Sequence, residues 1–170
     1  AIYQNLVLCS VKQGMIDGVQ ELLEGIHKFH WEHIERMDRM GVYCVEALYY
    51  HLCGDTKQRD ECIGQVDLGV KDNMILMDLF DDYYTYCELL LECGKDKEFW
   101  HIIDTMEPMV QSFNITHMQM KELSLKIKYY RNHGQNEEYL QAAGLFYELS
   151  EKRESETQKM IYNILSLRKT

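Results

Sequence analysis

The chain has 170 residues, a formal charge of −10 and a pI of about 5.1, with one proline and ten glycines. That length can bury a sizeable core in a single domain, and its basic residues are scattered singly among acids, which argues against a face that neutralises nucleic-acid phosphates. No run of roughly 18 apolar residues occurs, so no membrane span is expected, and the first residues, AIYQNLVLCSVKQG, lack the basic flank and cleavage site of a signal peptide.

In chain order, four apolar helical runs each stop at a glycine: Gly14 in LVLCSVKQGMIDGV, Gly54 in EALYYHLCGDTKQRDECI, Gly94 in ELLLECGKDKEF and Gly134 in IKYYRNHGQNEEYLQAA. The interval is 40 residues each time. Glycine ends a helix because it enters the left-handed region without a Cβ clash. Asp17, Asp55, Asp96 and Asn136 follow, residue types suited to an N-cap or a first helical turn. Each glycine is therefore expected to be the tight turn of a helical hairpin, with two helices of roughly four to five turns per unit.

Counted from these glycines, apolar columns recur without sequence identity. Seven residues before stand Val7, Ala47, Cys87 and Ile127; nine after stand Leu23, Ile63, Ile103 and Ala143. Tyr3, Tyr43, Tyr83 and Leu123 form a column eleven before, Ile26, Val66, Met106 and Phe146 one twelve after, and Met40, Phe80, Met120 and Met160 one twenty-six after. In the third unit Leu79, Tyr83, Tyr86, Leu90 and Cys93 recur at threes and fours, which is helical spacing. Strands have little support.

The predicted fold is all-α: eight helices in four hairpins over 1–153, stacked as a tetratricopeptide-like α-solenoid, and a ninth helix from about Glu154 to Thr170. The competing architecture is a globular helical bundle. A unit of 40 exceeds the usual tetratricopeptide length of roughly 34, and that repeat's Trp and closing Pro are missing. The last apolar run, with Met160, Ile161, Ile164, Leu165 and Leu167, either closes the solenoid or leads to a coiled coil and a downstream catalytic domain. The start at Ala and the end inside a periodic run predict a piece of a longer protein.

None of the six cysteines forms a C-x-x-C pair, and most sit among Leu, Val and Tyr, so they are expected to be reduced core thiols of a cytoplasmic protein. No glycine-rich phosphate loop, G-x-S-x-G or H-E-x-x-H occurs, so this stretch is not expected to be an enzyme or to hold a cofactor. His27, His30 and His33 could form a surface metal site, but an exposed, partly charged helix end is the better reading. Glu24 with His27 and Glu98 with His101 match half of a di-iron pattern, yet they fall at different points of the repeat, so a helical metalloprotein is a minor alternative. The tripeptide Glu46-Ala47-Leu48 names a family of cyclic-dinucleotide phosphodiesterases, but no barrel strands surround it, and it is read as chance.

Tyr43, Tyr50, Tyr83 and Tyr86 fall on or near one helical stripe, joined by Tyr130 of the fourth unit. With Glu46 they form a candidate groove for a peptide or small molecule, since tyrosine joins apolar area to a hydroxyl. Asp78, Asp81 and Asp82 lie near, which favours a cationic over an anionic ligand. The alternative is that the tyrosines are core residues between helices.

The C-terminal stretch AAGLFYELSEKRESETQKMIYNILSLRKT resembles the end of the helical-repeat region that precedes the GGDEF domain in diguanylate cyclases of clostridial-type bacteria. Tyr147 to Ser150 and Ile164 to Arg168 carry the resemblance, and YYRNHGQNEEYLQAA, with Tyr129, Tyr130 and Gly134, extends it upstream. It covers about the last 50 residues and is architectural for the rest. The resemblance implies a cytoplasmic sensory or regulatory region that binds a protein, peptide or small-molecule signal, with a downstream cyclase domain that condenses two GTP into cyclic di-GMP across a dimer. The GG(D/E)EF signature is absent here, so no catalytic residue is implied. The alternatives are a free-standing tetratricopeptide-like adaptor and the peptide-sensing half of a transcription regulator. A homodimer through terminal helices is a further expectation.

Overall fold

The computed structural model describes residues 2–33, 35–66 and 80–167. Eight α-helices and no strands lie among them: α1 (Ile2–Lys12), α2 (Val19–Gly25), α3 (Arg36–Leu52), α4 (Thr56–Gln65), α5 (Phe80–Glu92), α6 (Asp96–Phe113), α7 (Thr116–Asn132) and α8 (Asn136–Leu167). None is long and apolar enough to cross a membrane among the described residues. Leu79 and Asp78, invoked above from sequence, lie outside the described residues.

All four repeat glycines end a helix in the same way. Gly14, Gly54, Gly94 and Gly134 have φ between 65° and 75°. At each, the glycine N–H and the next N–H both reach back into the helix: Gly54 N to His51 O (3.1 Å) and Asp55 N to Tyr50 O (2.9 Å), repeated as Gly14 to Val11 with Met15 to Ser10, Gly94 to Leu91 with Lys95 to Leu90, and Gly134 to Arg131 with Gln135 to Tyr130. This is the Schellman pattern, which satisfies carbonyls that the helix end would leave without donors. The next helix starts at once after three of them. Asp55 is a true N-cap, its carboxylate accepting from Gln58 N at 3.0 Å, whereas Asp96 and Asn136 are the first residues of their helices.

The first unit departs from the frame. Gly18, with φ 80°, delays α2 to Val19, and the helix then passes into a π-turn at Ile26–His30 and a 3₁₀ turn at Trp31–His33. A second helix of four to five turns was expected there, but the positive-φ Gly18 and the aromatic run HKFHW break the regular ladder.

The chain divides into two compact units, 1–105 and 106–170. The division falls inside α6, next to Pro108, whose ring removes the backbone bond to residue 104. In the first unit α3 packs on both α1 and α5. Its core joins Val7, Leu8 and Val11 of α1 to Val19, Leu23 and Ile26, and to Val42, Val45 and Tyr49 of α3. The C-terminal ends of α3 and α5 meet: His51 Nε2 lies 3.4 Å from Glu92 Oε2, and Cys93 Sγ, just past α5, 3.8 Å from His51 Nδ1. Lys95 Nζ donates to Asp60 Oδ2 at 3.1 Å, tying the turn after α5 to α4. In the second unit α7 and α8 form an extensively paired hairpin.

Two sequence expectations need correction. No break separates a ninth helix at Glu154, and the chain does not divide at 153/154: α8 runs through as 32 residues. The segment ELSEKRESETQKM contains neither Gly nor Pro, and strong helix formers with bonds such as Tyr147 Oη to Glu151 (2.7 Å) keep the helix going. The apolar columns also change along the chain. Val7, Ala47 and Cys87 are buried, and so are Leu23, Ile63 and Ile103. In the fourth copy Ile127, Ala143 and Phe146 are only half-buried and Met160 is 57% exposed.

Candidate functional site

Glu46 interrupts an apolar run, Val42 to Leu48, on the buried face of α3. A carboxylate there loses its water, which disfavours its charged form. It is 4% exposed, and burial holds its pKa above the usual carboxylate value, a hydrogen bond from His27 pulling partly back. His27 comes from the π-turn after α2, its Nε2 facing Glu46 Oε1. Cys62 Sγ–H of α4 donates weakly to Oε2 at 4.0 Å. Three elements thus converge on one carboxyl group. In turn, burial first and Glu46 second push the Cys62 thiol up to about 12, and the same two causes raise Tyr43 and Tyr50.

Aromatic rings pack on one side of His27. Trp31 lies 4.2 Å from the His27 ring centroid and meets Tyr43 edge-on at 5.3 Å. The Arg39 guanidinium stands 5.4 Å above the Trp31 ring, a cation–π distance. Two open cavities share His27, Glu46 and Tyr50: one of about 890 Å³ toward Gln20, Glu24 and Asp55, another of about 440 Å³ toward Tyr43, Glu61 and Cys62. Together they make a groove of ligand size with an aromatic wall, a buried carboxyl floor and an acidic rim.

Of the residues expected to line a groove, Tyr43, Glu46 and Tyr50 do so together. Tyr83 and Tyr86 do not belong with them: they are core side chains of α5, 0% and 1% exposed. The reason is that the α5 stripe is covered by packing on α3, so the core alternative holds for these two. Tyr86 also edges a small cavity of about 210 Å³ with Glu98 and His101. Tyr130 lies in the second unit, in a cavity of its own. The acids beside the groove are Glu24, Asp55 and Glu61; Asp82 is buried and Asp81 is exposed on α5.

Sequence reasoning missed His27 as the partner of Glu46, and it missed Trp31. The available signal was Glu46 itself, since a carboxylate amid VEAL needs a buried donor. His27 is not an idle helix end, and it shares Glu46 rather than pairing with the Glu98 and His101 of another cavity. Among the described residues no three His, Cys, Asp or Glu side chains are grouped to hold a metal ion. The six cysteines are free, with Cys44, Cys62 and Cys87 buried. No family model matches the chain, and no curated protein or solved structure matches it either.

Proposed function

We propose that the chain is a non-catalytic sensory or regulatory module of stacked, tetratricopeptide-like helical hairpins, which takes a peptide or small-molecule signal in the His27–Glu46–Tyr50 groove and relays it through α8. The observation that carries this reading is the groove: a buried carboxyl whose donors come from separate elements, walled by Tyr43, Tyr49 and Tyr50, with Trp31 packed behind His27 and Tyr43. A bound group that competes for Glu46 would move the π-turn relative to α3 and α4, so binding there has a conformational consequence. The stacked-repeat part rests on the four equivalent glycine turns and on the packing of α3 against both α1 and α5.

The relay part rests on α8. Its distal end exposes the large side chains of Met160, Ile161 and Tyr162, which suits contact with a coiled-coil partner or a second copy. This fits the resemblance to the region before a GGDEF domain, and six free thiols fit a cytoplasmic setting. The test uses the full gene product. Its rate of cyclic di-GMP formation from GTP is compared with that of a form lacking residues 1–153 and of a Tyr43→Ala, Tyr50→Ala double variant. A several-fold change in both supports the reading, and a rate indifferent to both removes it. A gene product without cyclase activity leaves the second reading, a free-standing adaptor that binds a peptide in the same groove.

A further inference from the structure

The second unit carries a groove of about 540 Å³ whose walls come from α7, α8 and the end of α6. On α7, Glu122, Leu123, Lys126 and Tyr130 recur at helical spacing along it. Glu122 is 4% exposed. Its Oε1 accepts from Lys126 Nζ at 2.7 Å, and the same ammonium donates to Glu107 Oε1 at 2.8 Å. One cation therefore serves two carboxylates. The other oxygen of Glu122, Oε2, is buried and has no hydrogen-bond partner among the described residues. A buried acceptor without a donor calls for an occupant.

The rest of the lining says what kind. Glu107, Glu122, Glu138 and Glu148 face only Lys126 and Lys152, so carboxylates exceed cations by two. Beside them Leu123, Leu145 and Leu149 give an apolar wall, and Leu145 is left 47% exposed. A proton on Oε2 would itself need an acceptor, and a water would leave the leucines uncovered. We propose that this groove binds an organic cation, an ammonium or guanidinium carried on an apolar chain, which donates N–H to Glu122 and lays its chain on Leu145 and Leu149. The shared chemistry can come from a basic side chain of a peptide or from a free amine. None of these residues belongs to the His27–Glu46 groove, so the proposal stands or falls separately from the function proposed above.

Calorimetric titration of the whole chain at low salt tests it, with agmatine, hexylammonium and the peptide Ac-Leu-Arg-Leu-NH₂ as probes and hexanoate as the anionic control. The expected result is binding of the cations at one site with a Kd below about 1 mM, none of hexanoate, and a loss of about tenfold in Glu122→Gln. Should Glu122→Gln fail to fold, the Glu138→Gln, Glu148→Gln pair on α8 decides, with an expected several-fold loss. A peptide much tighter than agmatine names a peptide source and the reverse names a free amine, and either supports the site. No binding of any cation, affinity unchanged in these variants, or a crystal soaked with agmatine that holds only water at Glu122 overturns it.

Discussion

His27 Nε2 lies 2.5 Å from Glu46 Oε1, so a partly exposed imidazole on a π-turn is the partner of a carboxyl group that water scarcely reaches. Because burial raises the Glu46 pKa, the folded state holds that proton more readily than the unfolded chain does. The contribution of Glu46 to stability is then full below the ordinary carboxylate pKa and is lost as pH rises through the raised one. Glu46→Gln has no proton to lose. Urea unfolding from about pH 4 to about pH 8 should show the variant gaining on the parent chain as pH rises; a gap that moves the other way would contradict the assignment.

In the second unit, Lys126 holds the buried Glu122 on one side and Glu107 on the other. Lys126→Met strands a buried carboxylate, and a loss of roughly 3 kcal/mol is expected. The Glu122→Gln, Lys126→Met double variant should recover much of it, because no buried charge then lacks a partner. A double-mutant cycle by urea denaturation measures the coupling, and strictly additive losses would mean that the pair does not act as a unit.

Two glycines respond oppositely to the same change. Gly54 sits at φ +75° in its turn, with open space where a Cβ would go, so Gly54→Ala suffers from backbone conformation alone, by about 1 kcal/mol. Gly144 lies inside α8 with the same open space, and Gly144→Ala should stabilise by about 0.5–1 kcal/mol. Thermal denaturation of the two variants reads both signs.

Tyr83 is 0% exposed and its hydroxyl has no partner among the described residues. Tyr83→Phe removes an unsatisfied polar atom and should be neutral or mildly stabilising, within about 0.5 kcal/mol of the parent or better. Tyr83→Ala opens a cavity and should cost about 3–5 kcal/mol. A Phe variant as damaged as the Ala variant would place a required hydrogen bond at that hydroxyl.

Helix ends were legible in the sequence because they depend on local chemistry. A glycine at the left-handed position and a run of helix formers act within one turn, so Gly14, Gly54, Gly94 and Gly134 could be placed without knowing what packs on them. The buried columns through Val7, Ala47 and Cys87 followed from the same frame. The continuity of α8 past Glu154 had a local signal too: ELSEKRESETQKM holds neither Gly nor Pro, and the repeat count alone suggested a division there.

The site was less legible, since Tyr43, Tyr50, Tyr83 and Tyr86 share residue type and helical phase. What separates them is coverage by residues distant in the chain. Packing of α3 on α5 buries Tyr83 and Tyr86, whereas the π-turn that carries His27 and the 3₁₀ turn that carries Trp31 leave Tyr43 and Tyr50 beside open space. The sequence by itself determined the four glycine turns and the helices that end on them, through short-range backbone geometry. Only the tertiary structure decided which tyrosines face a groove and which carboxyl group is its floor, because burial depends on neighbours that no local pattern contains.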